Sequence, residues 1–280
     1  MLVTDAKFAK GFIRLTDVAF KKGWHERNGG NLSYRMSPED VNEVKDQLSE
    51  PKEWVPIGVK VPKLANEYFL VTGTGRYMQN VISAPEENIG IAKIDEKGEN
   101  YSVVWGLTVG HKPTSEFPTH LMNHEIKKEL TNGVNRVIYH AHPTNIIALT
   151  FVVPLNAKAF SHELWEMATE NPVIFPEGIG VVPWMVPGGA EIAEATSKLM
   201  KKYNLVIWAH HGMFCCGKDF DEAFGFMDTA EKAAEICVKV RSMGGIRTND
   251  DGSKQTIHDP GFRQLAKDFH INLNEDFLSK

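Results

Sequence analysis

Residues 136–142, Arg136-Val137-Ile138-Tyr139-His140-Ala141-His142, decide how the chain is read. Val137 and Ile138 are β-branched and Tyr139 is aromatic, so the segment favours extended backbone. Successive side chains of a strand point to opposite faces, which puts His140 and His142 on the same one. Two imidazoles a few ångströms apart at a strand end make a natural metal pair. Alone, the motif does not separate a ligand pair from two histidines that merely close a strand.

Working outward, residues 205–209 form a second strand of buried type, running into His210-His211-Gly212. Either histidine could complete a set of three; a loop histidine is the plain alternative. Toward the N-terminus, residues 68–72 form a strand that runs into Gly73-Thr74-Gly75. Residues 32–35 form another, just after Asn28-Gly29-Gly30-Asn31, and residues 101–105 are a further candidate. Residues 5–22 form an amphipathic helix, with Phe8, Phe12, Leu15 and Ala19 at three- and four-residue spacing and Thr4 as its cap. Residues 114–130, with Thr114 as cap, residues 189–203 and residues 219–243 are helical. The last of these ends at Gly244-Gly245. A final short helix starts at Asp259-Pro260. Residues 145–153 fit a helix or a buried strand equally well. Residues 37–63 read as loop and short helix, and residues 246–258 as a polar loop. Strands and helices mix without strict alternation. The expected fold is therefore α/β of the α+β type, a sheet covered by helices and not an eightfold barrel.

Composition narrows the function. The 280 residues include 31 Lys and Arg against 36 Asp and Glu, a net charge of −5, with 42% hydrophobic and 24% charged residues. That is the balance of a soluble globular protein. It excludes a disordered chain and a generally basic nucleic-acid binder. No Pro/Gly/Ser linker divides the chain, so a single domain over residues 1–280 is expected. The first twenty residues lack the apolar core of a signal peptide, and the longest apolar stretch, residues 146–155, is about half a membrane span. We expect a cytoplasmic protein with no membrane partner, its Cys215, Cys216 and Cys237 being reduced thiols.

Familiar motifs fail. No phosphate-binding G-x-x-x-x-G-K-[ST] or hydrolase G-x-S-x-G is present, and the third glycine of a dinucleotide fingerprint after Gly75 is replaced by Met78. His124-Glu125 and His162-Glu163 each begin a zinc-protease motif, but Lys128 and Glu166 stand where the second histidine belongs. What survives is the histidine set, a carboxylate and two glycine turns. Glu116, in Pro113-Thr114-Ser115-Glu116, opens a helix; alone it would read as a surface acid. With three histidines it suggests a catalytic zinc site, in which three protein ligands leave a place for substrate. The turns at Asn28–Asn31 and Thr72–Gly75 could each aim successive backbone N–H groups at one point and so bind phosphate without net positive charge.

These segments together with Trp105-Gly106-Leu107-Thr108, Trp184-Met185-Val186-Pro187-Gly188 and residues 240–245 occur in an order that resembles the class II aldolase/adducin superfamily. The resemblance spans essentially the whole chain, and the last three segments narrow it to aldolases of ketose 1-phosphates. It implies a mostly antiparallel sheet between helical layers and a zinc-dependent, reversible aldolase acting as a homotetramer on a small sugar phosphate. Matched by motif, His140, His142 and His211 would hold the zinc. His211 is preferred to His210 because the family histidine directly precedes the glycine. Glu116 would be the acid/base. Asn28, Gly30, Asn31, Thr74, Gly75 and Ser115 would lie around the substrate and its phosphate. Glu170 would reach a neighbouring subunit's site; as a plain surface acid it would not. Thr74 departs from the serine common in relatives. The segment 246–260 is longer than expected, so no residue beyond it is carried over. A phosphofuculose aldolase, a pentulose-phosphate epimerase and a dehydratase share the same apparatus, whereas a non-catalytic adducin-like module would have lost the ligands.

Overall fold

The strand expected at 136–142 forms as Val137–Ala141, deep inside a nine-stranded sheet. The computed structural model describes residues 1–278. The strands are β1 (Asn31–Arg35), β2 (Val55–Pro56), β3 (Tyr68–Thr72), β4 (Ile89–Ile94), β5 (Asn100–Gly106), β6 (Val137–Ala141), β7 (Gly180–Val182), β8 (Leu205–Trp208) and β9 (Gly212–Gly217). Their order is β2-β5-β4-β3-β1-β6-β9-β8-β7, and every pairing is antiparallel except β7 with β8.

Alternation along β6 sorts the core into two layers. Val137, Tyr139 and Ala141 face one side, where they join Leu32, Leu70, Met213 and Cys215. That side is covered by Phe8 and Phe12 of the Lys7–Lys21 helix and by Ala223, Met227 and Ala230 of the Phe220–Ser242 helix. Ile138 faces the other side with Phe214, Cys216 and Trp208, under Ile192 and Met200 of the Ala190–Met200 helix. Further along that face Phe69 and Val71 of β3 pack on Phe117 and Leu121 of the Phe117–Leu130 helix. The sheet thus lies between helical layers, with each fully buried Val, Leu, Ile, Phe or Met side chain contributing roughly 1.5–3 kcal/mol. The three cysteines are buried free thiols. Among the described residues, no helix is long and apolar enough to cross a membrane.

Two expected caps are not caps. Thr4 sits inside a short turn, Val3–Asp5, and the first helix begins at Lys7 behind Ala6. Thr114 donates its N–H to the Thr72 carbonyl at 2.8 Å. That bond holds the segment against the end of β3, so the helix starts only at Phe117. The ambiguous stretch after His142 becomes a short helix, Thr144–Leu149. Strands β2, β4, β7 and β9 and the Ala157–Met167 helix come in addition to the elements expected from sequence, β2 falling within residues 37–63, where loop and short helix were expected.

Candidate metal centre

Strand register assembles the site. His140 of β6 lies directly across from Asn31 of β1 on one side and from Phe214 of β9 on the other. Paired residues share a face, so Asn31 and His140 point together into one cleft. His142 follows two residues on, and His211 enters from the turn between β8 and β9. The three imidazoles each offer a nitrogen, and these atoms all lie within 4.8 Å of one another. The Nε2 atoms of His140 and His142 are 3.2 Å apart. His210, by contrast, turns away: its Nδ1 meets the Thr150 hydroxyl at 3.0 Å and its ring packs on Phe151.

The surroundings prepare these rings to bind a cation. His140 Nδ1 lies 3.0 Å from the Met213 carbonyl, an arrangement that puts the proton on Nδ1 and leaves Nε2 with its lone pair facing the cleft. His142 Nδ1 donates in the same way to the Glu26 carboxylate at 2.7 Å. His211 has a buried Nδ1 that no group among the described residues satisfies. Burial, followed by the neighbouring imidazoles, pushes the His140 pKa well below its ordinary value, and the same causes bring His211 to about 4. All of this favours neutral ligands, the form a metal requires.

Glu116 completes the cleft. It is only 7% exposed, and its Oε2 lies 3.8 Å from His140 Nε2. Asn31 donates its Nδ2 hydrogen to that same oxygen at 2.8 Å. Burial raises the Glu116 carboxyl above the ordinary carboxylate range, and the Asn31 bond offsets only part of the rise. The cleft has a volume of about 220 Å³ and is lined by Asn28–Asn31, Gly73–Gly75, Thr114–Glu116, His140, His142, His211, Pro187 and Gly188. Ten of the eleven residues expected at the site therefore meet there. The exception is Glu170, which is exposed at the start of the Glu170–Ile174 helix and lies outside this lining.

The glycine turns act differently from the expected nests. Gly29 donates its N–H to Glu26, Gly73 to Asn88 and Thr74 to Lys112, so these amides are already committed. Those of Gly75 and Ser115 have no partner among the described residues. The Gly73–Pro113 bridge brings the two segments side by side. Gly30 is held more tightly still: at φ +75° an added Cβ would lie 2.3 Å from His25 and 2.8 Å from the His140 carbonyl.

Sequence reasoning missed His25. It is buried, with Nδ1 3.0 Å from the Gly29 carbonyl and Nε2 2.9 Å from the Tyr139 hydroxyl, and it braces the turn from beneath. It also missed a buried pair on the neighbouring helix, His120 and His124, which both meet the Ser33 hydroxyl. Burial lowers His25 to about 4, His120 to about 3 and His124 well below its ordinary value. Below the unfolded value of 6.5 the unfolded chain therefore binds protons that the folded chain refuses, down to about pH 4 where His25 begins to accept one. Stability is full above that range and falls with pH inside it, by roughly 1.4 kcal/mol per pH unit for each histidine. Urea unfolding between pH 7 and pH 4.5 is expected to show a steep loss; a flat midpoint across this range would contradict the neutral assignments.

The sequence profile of the family described as Class II Aldolase and Adducin N-terminal domain matches residues 11–238. The chain belongs to that family. It is 46% identical over 276 residues to a rhamnulose-1-phosphate aldolase of Mannheimia succiniciproducens, covering 99% of both chains. It is 44% identical over 269 residues to the protein of that name from Escherichia coli O139:H28, covering 96% of both. Among solved structures, a sugar-phosphate aldolase from Thermotoga maritima superposes with a TM-score of 0.70 at 31% identity, covering 85% of this chain and 96% of the other. An L-fuculose 1-phosphate aldolase shares the fold at 19% identity and a TM-score of 0.59, covering 95% of this chain and 98% of the other. The chain is thus an aldolase, a carbon–carbon lyase.

Proposed function

We propose that this chain reversibly cleaves L-rhamnulose 1-phosphate to dihydroxyacetone phosphate and L-lactaldehyde, using one zinc ion per subunit. The observation that carries the reading is a buried carboxylate 3.8 Å from one of three convergent imidazoles, within a cleft of about 220 Å³. The choice of sugar rests on the name carried by relatives 44–46% identical over nearly their whole length.

His140, His142 and His211 would hold the metal, which as a Lewis acid supplies on the order of several kcal/mol of charge stabilisation. Three neutral ligands leave its charge intact, and no lysine Schiff base is needed. Glu116 transfers the proton at the carbon next to the ketone: it removes that proton in the synthetic direction and returns it in cleavage. Gly75 and Ser115 offer backbone N–H groups to the phosphate, with Asn28, Gly30 and Thr74 around it. Asn31 spends its amide on Glu116, so its part is to hold the base. Glu170 acts on the aldehyde oxygen of a neighbouring subunit's substrate, within a cytoplasmic homotetramer of single-domain subunits.

A panel of phosphorylated ketoses tests the assignment. L-rhamnulose 1-phosphate is expected to give a kcat/KM at least about 10-fold above L-fuculose 1-phosphate, the scale one misplaced hydroxyl contact sets. Epimerisation of a pentulose phosphate without cleavage would replace the reading with that of an epimerase.

A further inference from the structure

Behind Glu116 runs a line of buried polar groups that the proposed reaction does not use. Ser33 sits on β1, two residues beyond Asn31 and on the same face. His120 and His124 are one turn apart on the Phe117–Leu130 helix and look down onto that face. His120 Nε2 meets Asn31 Oδ1, and His120 Nδ1 lies 2.7 Å from Ser33 Oγ. Ser33 Oγ lies 2.8 Å from His124 Nε2. Ser33, His120 and His124 are fully buried, with Phe214 against one ring and Phe69 against the other.

The protons along this line can be placed by working back from the carboxylate. Ionised Glu116 accepts, so Asn31 presents its NH2 to it and its Oδ1 to His120. An amide oxygen accepts, so His120 carries its proton on Nε2. Its Nδ1 then accepts from the Ser33 hydroxyl, and the Ser33 oxygen in turn accepts from Nε2–H of His124. Every bond donates toward Glu116. The line ends at His124 Nδ1, a buried atom with no partner among the described residues. In this tautomer that atom is a lone pair and not a stranded N–H, the less costly group to leave unpaired.

We propose that His124, Ser33 and His120 are positioning residues, which lock the Asn31 amide in the one orientation that offers a donor to the Glu116 carboxylate. The proposal rests on Glu116 being the proton-transfer group. Without the His120 N–H, the Asn31 amide loses the partner that fixes its direction. Flipped, it would set a carbonyl against the carboxylate and displace it from the reacting carbon.

Two measurements test this on the zinc-loaded, full-length protein. The first is independent of activity: two-bond 1H–15N spectra of 15N-histidine-labelled protein near pH 7, with each ring assigned by its loss in the His120→Gln and His124→Gln variants. Both rings are expected to be neutral Nε2–H tautomers; a charged ring or an Nδ1–H tautomer in either overturns the proposal. The second is kinetic. His120→Phe keeps the ring but removes the N–H and is expected to lower kcat about 10-fold or more, within the roughly 10²-fold that a 1 Å misplacement can cost. KM and metal content stay near wild type. His120→Gln places an amide N–H where Nε2–H was and restores kcat to within about 3-fold of wild type, if orientation is what was lost. Equal loss in both variants, or no loss in His120→Phe, overturns the proposal. Should His120→Phe fail to fold, the tautomers decide. A wild-type protein without aldolase activity would sink the functional reading and leave the tautomer result standing; an active protein with the wrong tautomers would sink only the relay.

Discussion

Removal of the metal is expected to lower aldol cleavage by about 10³-fold or more, the factor given by losing about 4 kcal/mol of charge stabilisation. Zinc, at one equivalent per subunit, is expected to restore it. The expectation follows from how the ligands are held. Three imidazoles converge with their nitrogens within 4.8 Å, and burial keeps His140 and His211 uncharged. Two of the rings are oriented from behind, His140 by the Met213 carbonyl and His142 by Glu26. Burial tends to raise the Glu26 carboxyl, but its bond from His142 brings it below its ordinary value, so it stays an anionic acceptor. Glu26→Gln weakens that acceptor and is expected to lower metal affinity about 10–100-fold while leaving the three ligands in place. Metal analysis alongside cleavage assays across a chelator titration checks both effects. Full activity in protein verified to be metal-free would end the metal-dependent reading, and a borohydride-trapped substrate adduct would point to a lysine enzyme instead.

The parts of this site that the sequence made legible are those governed by local rules. The period of two in residues 136–142 placed His140 and His142 on one face, and the sheet keeps them there. Resemblance supplied the preference for His211 over His210; in the fold His211 converges with the other two imidazoles, whereas His210 turns out toward Phe151. The parts that stayed hidden depend on pairings between distant residues. Strand β9, Gly212–Gly217, is buried on both faces and so has no alternation of polar and apolar residues to announce it. Yet its register sets Phe214 beside His140 and aims the Met213 carbonyl at Nδ1. His124 looked like half of a protease motif, because nothing in the local sequence says that Ser33, 91 residues away, will face it. The glycine turns were misjudged for a related reason. Composition shows that a turn can expose its amides, but only the fold reveals that Asn88 and Lys112 have already taken those of Gly73 and Thr74.

Glu116→Gln is expected to slow exchange of the carbon-bound proton of dihydroxyacetone phosphate by about 10²-fold or more, the usual contribution of a positioned base. The substitution is a narrow one. A glutamine keeps the shape of the side chain, and its carbonyl can still accept the Asn31 hydrogen bond now made at 2.8 Å. It removes only the charge and the capacity to take a proton. Metal content and substrate KM should therefore stay near wild type, and the loss should fall on kcat. The pH profile gives an independent mark. Burial raises the Glu116 carboxyl above the ordinary carboxylate range, against the smaller opposing pull of Asn31. Exchange needs the ionised form, so in the wild type it climbs as pH rises through that elevated value and levels off above it. The variant has no carboxylate to ionise and should lose this rise while retaining any dependence due to metal release. Exchange in Glu116→Gln at close to the wild-type rate would take the proton transfer away from Glu116. The base would then have to be sought among the other groups lining the cleft, of which the three histidines are the ones with a ring nitrogen able to take up a proton. A base drawn from that set could not also be a metal ligand, so the same result would reopen the assignment of the metal site.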